Sequence, residues 1–383
     1  MISEKSDLEG DRVKIGIITW FSGGNYGTNL QAIALQGYLR SIGHSVEIIN
    51  FEIESHIREK KTFLQKVQRQ PQKYVTKYAQ KKYKKQIEFR YQKMKEEVKR
   101  NCIFTKRIVC EQDYIDICNT FDILICGSDQ IWNPNWYHKF YYADYNEIKS
   151  RIISYAPSLG VNTIREEQTT KIKRSLSRFS AVSVREHRGA NLLKPLSANE
   201  PVVVVDPTLL LDTKAWNTVF PIQNKCREKY VLSMFLTDNY AHWRAAKKYA
   251  TDRGVRHIVI PYCGFSYFQN AEIKADAGIQ DFLNLIRGAE CVLTDSFHVT
   301  VFSLMYHKQF YTFERFKENA FSSQNERIRN ILDIANAIER IIPYGTNYIQ
   351  AQDDIEYNSV AKTLNVEIEK SKRFLREAIA GCK

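Results

Sequence analysis

The spacing of apolar residues near the start of the chain predicts a strand, a glycine-rich loop and a helix. Residues 13–19 form an apolar run of the parallel-strand type, and apolar or small residues recur at helical spacing over 29–39. The loop between them contains three glycines: Gly23, Gly24 and Gly27. A second strand follows at 45–51. This β-α-β order predicts an α/β sheet.

The same alternation continues in two regions and predicts two domains. In the first, strand-like runs that each end in a turn or polar loop lie at 121–126, 151–155, 181–184 and 202–205. In the second, strands and helices alternate again over 230–313. Because ligands bind at the carboxyl ends of parallel strands, we expect the loops of the first region to form one rim of a cleft between the domains.

Composition along the chain suggests the domain boundaries. We expect a first domain at 13–211 and a second at 229–335, joined by a less regular, polar stretch that contains Pro221. Helical periodicity over 328–341 and 360–380 predicts C-terminal helices within 336–383, which we expect to pack back on the first domain.

The positive charge is concentrated in one segment. The 383 residues include 56 Lys and Arg against 43 Asp and Glu, a net charge of +13. Residues 56–100 hold 16 basic and 4 acidic residues, a net charge of +12. The remaining chain is nearly neutral, which excludes a protein that is basic over its whole surface, so nucleic acid is not an expected partner.

This segment predicts a basic helical insertion in the first domain. Pro71 can open a helix, and five apolar residues then share one stripe of it: Tyr83, Ile87, Tyr91, Met94 and Val98. Lysines occupy the other faces. Two interpretations stay open: a plain solvated face, or a surface that docks on anionic lipid head groups or on the pyrophosphate of a lipid-linked saccharide.

Composition also limits the class of protein. A hydrophobic share of 44% with only 9 Pro is typical of a folded chain, and no apolar run approaches the roughly 18 residues that span a bilayer. The first residues lack the apolar region of a signal peptide, so we expect a cytoplasmic protein. The 8 cysteines include no CxxC pair and are expected to be reduced, buried thiols.

Two loops of the first domain are candidates for binding. The loop at 23–27 precedes a helix, where backbone N–H groups favour an anion, but it matches neither the dinucleotide pattern nor the P-loop. The loop at 128–134 combines polar side chains with Trp132, as sugar sites do. Arg185 follows a strand and suits a carboxylate or phosphate.

The most informative turn lies at 294–299 in the second domain. It follows an apolar strand and precedes a helix, and it offers Ser296 and His298 to the cleft. Histidine is the side chain best suited to exchange a proton near neutrality, so His298 is the candidate proton donor. No spacing of His and carboxylate residues suggests a metal. We expect Asp129 and Asp295 to act only as orienting groups.

Six segments together resemble successive motifs of the polysaccharide pyruvyl transferase family, and they occur in the family's order. They are GNYGTNLQA at 24–32, CGSDQIWN at 126–133, SYAPSLG at 154–160, VSVRE at 182–186, DPTLL at 206–210 and TDSFH at 294–298. The resemblance implies a GT-B-like pair of Rossmann-like domains. It also implies transfer of an enolpyruvyl unit from phosphoenolpyruvate to two hydroxyls of a sugar, with no cofactor.

The resemblance assigns roles to several residues of this chain. Arg185 would hold the carboxylate or phosphate of the donor, and His298 would protonate its methylene carbon. The loops that would line the acceptor side of the cleft contribute Gly24, Asn25, Tyr26, Asn29, Ser128, Asp129, Gln130, Trp132 and Asn133. The acceptor is expected to be a galactose-type or other hexose saccharide, lipid-linked, in the synthesis of capsule or exopolysaccharide. The protein is then cytoplasmic and peripheral on the inner face of the membrane, with an anionic membrane surface as a partner of residues 56–100.

The chain departs from the family at two positions. Many members carry Arg where this chain has Ser296, and the related subgroup usually has Gly where this chain has Val299. We expect Arg327, or backbone amides at the start of the helix near Val299, to replace the missing charge. Three alternatives stay open: a nucleotide-sugar glycosyltransferase of the same fold, a non-catalytic member of the family and a basic-helix binding protein.

Overall fold

The structure, a computed structural model, describes residues 12–51, 70–223, 228–317 and 324–381. The first part of the predicted basic insertion, 56–69, lies outside these ranges. Two parallel sheets, flanked by helices, make up most of what is described.

The first sheet has five parallel strands in the order β2-β1-β3-β4-β5. The strands are β1 (Lys14–Ile18), β2 (Ser45–Ile48), β3 (Ile123–Cys126), β4 (Arg151–Ser154) and β5 (Phe179–Ala181). The helices of this region are α1 (Tyr26–Ser41), α2 (Gln70–Lys82), α3 (Lys84–Asn101), α4 (Glu111–Cys118), α5 (Glu166–Leu176), α6 (His187–Leu193) and α7 (Thr213–Val219). All residues of the central strand β3 are buried, as its unbroken run of Ile, Leu and Cys requires.

Two short strands form a separate pair beside this sheet. They are β6 (Ser183–Val184) and β7 (Val202–Val203), which bind each other in parallel. The runs at 181–184 and 202–205, predicted as strands that each lead to the same rim, are therefore divided between the main sheet and this pair.

The second sheet has six parallel strands in the order β10-β9-β8-β11-β12-β13. The strands are β8 (Tyr230–Met234), β9 (Arg256–Val259), β10 (Glu272–Ile273), β11 (Cys291–Thr294), β12 (Gln309–Phe313) and β13 (Ile341–Ile342). The helices are α8 (Tyr240–Asp252), α9 (Ile279–Gly288), α10 (Phe297–Met305), α11 (Asn325–Ile334) and α12 (Tyr357–Ala380). The edge strand β13 lies within 336–383, where only helices were predicted, and it replaces the end of the helix predicted over 328–341.

Helix α1 lies between the two sheets, so it is buried on nearly every side. Its Gln31 and Gln36 are fully buried, and both make hydrogen bonds with backbone groups, among them one from the Gln36 amide to the Ile103 carbonyl at 2.8 Å. At the start of the helix, the Tyr26 hydroxyl donates to the Ala277 carbonyl at 2.6 Å, and its ring stacks on Phe282 at 4.5 Å. Helix α1 is therefore shared by the cores of both sheets.

The basic insertion is more than an appendage of the first domain, because its two helices also pack on the second. The Glu97 carboxylate of α3 accepts the N–H groups of Ile279 and Gln280 at 2.7 and 3.1 Å, which caps α9. Arg90 donates to the Pro261 carbonyl at 2.7 Å, and Lys93 pairs with Asp281 at 2.6 Å. Net charge alone did not predict this docking.

The predicted apolar stripe is only partly buried. Met94 and Val98 are buried, Tyr83 and Ile87 are half-buried, and Tyr91 is 46% exposed. The predicted basic face is solvated, since its lysines are all exposed: Lys81, Lys82, Lys84, Lys85, Lys95 and Lys99. The helix breaks at Tyr83, so α2 and α3 form two segments instead of one.

The C-terminal helix α12 crosses from the second sheet to the first. The Ser371 hydroxyl accepts the Val205 N–H at 2.9 Å, and Arg376 donates to the Tyr38 hydroxyl at 3.3 Å. The buried side chains of α12 join the core cluster that contains β1 and α1. These contacts tie the end of the chain to the first sheet.

Two Rossmann-like units joined through α1, the insertion and α12 make the fold GT-B-like, which confirms the predicted fold class. None of the helices within the described ranges has the length and apolar character needed to cross a membrane.

Candidate functional site

The candidate site lies where the strand order of each sheet reverses. In the first sheet this point is between β1 and β3, which carry the loops at 19–25 and 127–133. In the second sheet the strand order reverses between β8 and β11. Strand β8 is followed by residues 235–239, and β11 is followed by Asp295. Ligands of open α/β sheets bind at such points, and here the two points face each other across the start of α1.

His298 lies in the first turn of α10, against the start of α1. A Cβ built on Gly27 would lie 1.9 Å from His298 Nδ1, so only glycine permits this approach. On the other side, His298 Nε2 lies 3.5 Å from Asp206 Oδ2 and has no hydrogen-bond partner. The helix begins at Phe297, two residues before the start predicted near Val299, and this places His298 on a rigid element.

Arg185 and Asp206 form a buried ion pair next to His298. Arg185 Nη1 donates to Asp206 Oδ2, and the two side chains are 2% and 0% exposed. Burial acts to raise the pKa of Asp206, but the charges of His298 and Arg185 and the Thr208 N–H hold it well below the ordinary value. Asp206 is therefore a carboxylate at neutral pH, shared by the arginine and the histidine.

Arg185 keeps donors that no described residue satisfies. Within the described ranges its buried Nε and Nη2 atoms have no hydrogen-bond partner, although Asp129 Oδ1 lies 3.9 Å from Nη2. The guanidinium lies over the Phe297 ring, with Cζ 4.8 Å from the ring centroid. Burial acts against the cation, but the carboxylates of Asp206 and Asp129 raise the pKa of Arg185, so the group stays charged.

Asp129 is held in position by its loop and by α1. Thr28 Oγ1 donates to Asp129 Oδ2 at 2.5 Å, and the Gln130 N–H donates to Asp129 Oδ1 at 2.8 Å. Its φ of 64° lies in the left-handed region, which a non-glycine residue adopts at a cost of about 1 kcal/mol or more. The structure thus brings Asp129 next to Arg185 in an orienting position.

Arg327 also lies near the Phe297 ring, with Cζ 6.0 Å from its centroid. Its Nη2 donates to Gln324 Oε1 at 2.6 Å, while its Nε is buried and unpaired. A further guanidinium, that of Arg315, donates to the same Gln324 oxygen at 2.7 Å. Burial and the neighbouring charges of Arg185 and Arg315 lower the pKa of Arg327 to about 9.

Asp295 joins the two loops at the reversal point of the second sheet. It accepts the Leu236 N–H at 2.6 Å and the Thr237 hydroxyl at 2.7 Å. Burial raises its pKa above the ordinary value. His242 Nδ1 lies 3.9 Å away, and the charge of Arg315 acts on Asp295 as well. Asp295 therefore orders the backbone behind His298 and does not itself contact it.

Two other histidines in the second domain are poorly suited to donate protons. Burial lowers the pKa of His242 and of His257 to about 4, so both are neutral near pH 7. His242 contacts the Asn239 amide at 3.0 Å and His257 the Ser233 hydroxyl at 2.8 Å, which are structural contacts.

Several loop residues predicted to line the cleft are structural instead. Trp132 is 1% exposed, stacks on Tyr142 at 5.0 Å and donates its N–H to the Tyr141 carbonyl at 3.1 Å, so it is a core residue. Ser128 is fully buried and donates to the Ala156 carbonyl, and Asn133 accepts the Asn135 N–H. Because these polar groups cap turns, their enrichment in the loop does not indicate a sugar site.

The remaining predicted residues surround the start of α1 and α10. Asn25 is exposed and caps α1, Gly24 contacts Tyr91, and Asn29 donates to the Gly23 carbonyl at 3.2 Å. Gln130 is buried with an unpaired Nε2.

Two predicted residues of the second domain lie at the helix start itself. Ser296 is 6% exposed and occupies the N-cap position of α10 without a side-chain capping hydrogen bond, and Val299 is buried within that helix.

Sequence reasoning missed Asp206, Gly27 and Arg315 as site residues. Asp206 follows the apolar run 202–205, and its position at a strand end was the available signal. For Gly27, the available signal was its position at the start of a helix, where a tight turn does not require a third glycine. For Arg315, one charge two residues past a strand gave no signal at all.

Within the described part of the chain, no group of three or more His, Cys, Asp or Glu side chains is arranged to hold a metal ion.

Comparisons with known proteins give a family and several structures of similar fold. The sequence profile of the polysaccharide pyruvyl transferase family matches residues 25–317. A comparison with curated protein sequences gave no significant match.

Three solved structures illustrate the similarity. S. aureus MnaA in a co-structure with UDP is 11% identical, with a TM-score of 0.49 over 94% of this chain and 89% of that chain. The UDP-GlcNAc 2-epimerase of Methanocaldococcus jannaschii is 11% identical, with a TM-score of 0.47 over 95% and 98%. E. coli heptosyltransferase WaaC with ADP is 11% identical, with a TM-score of 0.41 over 94% and 99%. Since the family profile covers most of the sequence, this chain belongs to the polysaccharide pyruvyl transferase family.

Proposed function

We propose that this protein transfers an enolpyruvyl unit from phosphoenolpyruvate to two hydroxyls of one sugar, which yields a pyruvate ketal and phosphate. The acceptor is a galactose-type or other hexose in a lipid-linked saccharide of capsule or exopolysaccharide synthesis. One observation supports this most: next to His298, the Phe297 ring lies near two buried guanidinium groups, Arg185 and Arg327, whose remaining N–H groups find no acceptor among the described residues.

These guanidinium groups suit a donor with several negative charges. Buried donors without partners cost free energy, and an anion that accepts their hydrogen bonds recovers it. Phosphoenolpyruvate carries a carboxylate and a phosphate on one carbon, so neighbouring cations can hold both at once. Arg185 and Arg327 hold them in this proposal, which leaves the donor's methylene group free to face His298.

The chemistry balances with one histidine. The His298 imidazolium, with Asp206 as its counter-ion at 3.5 Å, gives a proton to the methylene carbon, which becomes a methyl group. The first sugar hydroxyl attacks the adjacent carbon, and its proton returns to the imidazole. The C–O bond to phosphate then breaks, the second hydroxyl closes the ketal, and its proton leaves with the phosphate. The arginines stabilise negative charge throughout.

The test uses phosphoenolpyruvate with 18O in the oxygen between carbon and phosphorus, together with a set of hexosides that includes galactosides. We expect phosphate that carries the label, because the C–O bond breaks, and an equal amount of a ketal with a methyl singlet in the proton NMR spectrum. Unlabelled phosphate with free pyruvate would indicate a phosphatase. Consumption of a nucleotide sugar in place of phosphoenolpyruvate would indicate a glycosyltransferase and refute the proposal.

A variant pair assigns the proton. His298→Ala should lower turnover by about 100-fold or more, as expected for a general acid. His44→Ala is the matched control, because His44 lies half-buried just before β2 and far from α10 in the fold. Equal turnover of the two variants would remove His298 from the mechanism.

We also propose that the insertion holds the enzyme at an anionic membrane, where a lipid-linked acceptor is found. The supporting observation is the set of exposed lysines on α2 and α3, the helices of the insertion. Each lysine near an anionic surface contributes about 1 kcal/mol.

Changing Lys81, Lys82, Lys84 and Lys85 to Gln should release the protein from vesicles that contain phosphatidylserine. The control changes four exposed lysines elsewhere to Gln: Lys171, Lys173, Lys194 and Lys214. Equal vesicle binding of the two variants would contradict a role for the insertion. Turnover of a soluble acceptor should stay unchanged in both.

A further inference from the structure

Two arginines from different elements meet at one oxygen atom. Arg315 follows β12, and Arg327 lies in the first turn of α11. Both donate to Gln324 Oε1, at 2.7 and 2.6 Å, so the two guanidinium groups lie side by side. A neutral amide oxygen is their shared partner, and it places two cations together without cancelling their charge.

Charge compensation at this pair is poor. Among the described residues, no acidic side chain forms an ion pair with either arginine; the carboxylates that attract them act at longer range, Asp295 on Arg315 and Glu186 and Asp129 on Arg327. Arg327 is 8% exposed, and its burial and the charges of Arg185 and Arg315 lower its pKa. An anion bound between such like charges would reduce their repulsion.

Arg185 differs in this respect. It pairs with Asp206 and lies 3.9 Å from Asp129, so two carboxylates already balance its single charge. It can contribute hydrogen bonds through its unpaired Nε and Nη2, but little net charge. A singly charged carboxylate matches such a group, whereas a doubly charged phosphate matches two neighbouring cations that no described carboxylate contacts directly.

We infer that Arg315 and Arg327, positioned by Gln324, bind the phosphate group of the donor and the phosphate product, while Arg185 binds the donor's carboxylate. This inference rests on the proposed function. It also explains Ser296, which stands where many family members have arginine. Arg327 lies by Phe297, the next residue in the chain, and Arg315 is close enough to attract Asp295. The charge absent at Ser296 thus comes from the connection between β12 and α11.

The experiment measures two ligands separately, without any acceptor or turnover. Inorganic phosphate and pyruvate, which carries the carboxylate alone, are titrated calorimetrically into the full-length protein and its variants. Arg315→Gln should raise the Kd for phosphate at least tenfold and leave that for pyruvate within twofold. Arg185→Gln should show the reverse. Lys317→Gln is the control, because it removes an exposed charge from the same connection.

The inference is overturned if Arg315→Gln leaves phosphate binding unchanged, or if it weakens both ligands equally. Circular dichroism spectra and unfolding midpoints show whether each variant is folded. If Arg315→Gln does not fold, Gln324→Ala replaces it and should weaken phosphate binding in the same selective way. Ketal formation by the wild type is measured in a separate experiment from the binding titrations. If the wild type binds phosphate through Arg315 and Arg327 but makes no ketal, the proposed function is refuted. If the wild type makes the ketal but the variants do not distinguish phosphate from pyruvate, the assignment of phosphate to Arg315 and Arg327 is refuted.

Discussion

Gly27→Ala tests whether the close approach of α1 and α10 positions the proton donor. The new Cβ would lie 1.9 Å from His298 Nδ1 and 2.3 Å from Cγ, whereas ordinary contact begins at 3.4 Å. The imidazole must therefore retreat by about 1.5 Å, or the two helices must separate. A misplacement of about 1 Å can cost about 100-fold in rate. We expect kcat to fall by at least about 100-fold, equivalent to about 2.7 kcal/mol in the barrier.

The chain offers a matched control in the same helix. A Cβ on Gly37 would meet only Leu211, at an ordinary 3.7 Å. Gly37→Ala should leave kcat unchanged and stabilise the protein by about 0.5–1 kcal/mol, because alanine favours the helix. The assay is phosphate release together with ketal formation, and urea unfolding shows that both variants are folded. Wild-type kcat in Gly27→Ala would refute the placement of His298 at the reacting carbon.

Three further predictions follow from single contacts. Glu97→Gln removes the charged cap of α9 and should lower the free energy of unfolding in urea by about 0.5–2 kcal/mol. Glu96→Gln, which changes an exposed neighbour, should alter this free energy by no more than about 0.5 kcal/mol. Equal losses in the two variants would contradict the capping role. Trp132→Phe should cost about 1–3 kcal/mol of stability with the acceptor KM unchanged, and a raised KM in a fully stable variant would restore Trp132 to the sugar site. Arg327 loses its charge as the pH rises through about 9, so the phosphate affinity of the wild type should fall between about pH 8 and pH 10. In Arg327→Gln the affinity should be weak and independent of pH over this range. Identical calorimetric profiles of the two proteins would show that Arg327 does not bind phosphate.

The sequence predicted well what depends on local pattern. The strand, glycine loop and helix at the start of the chain, and the strand and helix around His298, have periodicities that burial in a parallel sheet imposes. A histidine at a turn that ends a buried strand was therefore found without any contact information. The two-domain alternation followed from the same periodicity.

Contacts between distant segments could not be predicted in this way. Glu97 looks like one more residue of a charged helix until the amides of α9, 182 residues later, meet it. Trp132 looked like a sugar platform because the sequence does not show that Tyr142 covers its face. Arg315 and Arg327 follow different elements of the sequence pattern, and only the fold brings them to one oxygen.

The most direct test of the account is the reaction carried out in D2O with phosphoenolpyruvate and a hexoside acceptor. Because the proton that His298 delivers exchanges with solvent, we predict a ketal whose methyl group carries one deuterium. The ketal should form in the same amount as phosphate. The His298→Ala variant should not form this ketal. A ketal with a methyl group free of deuterium, or an unchanged product from His298→Ala, would contradict the central claim.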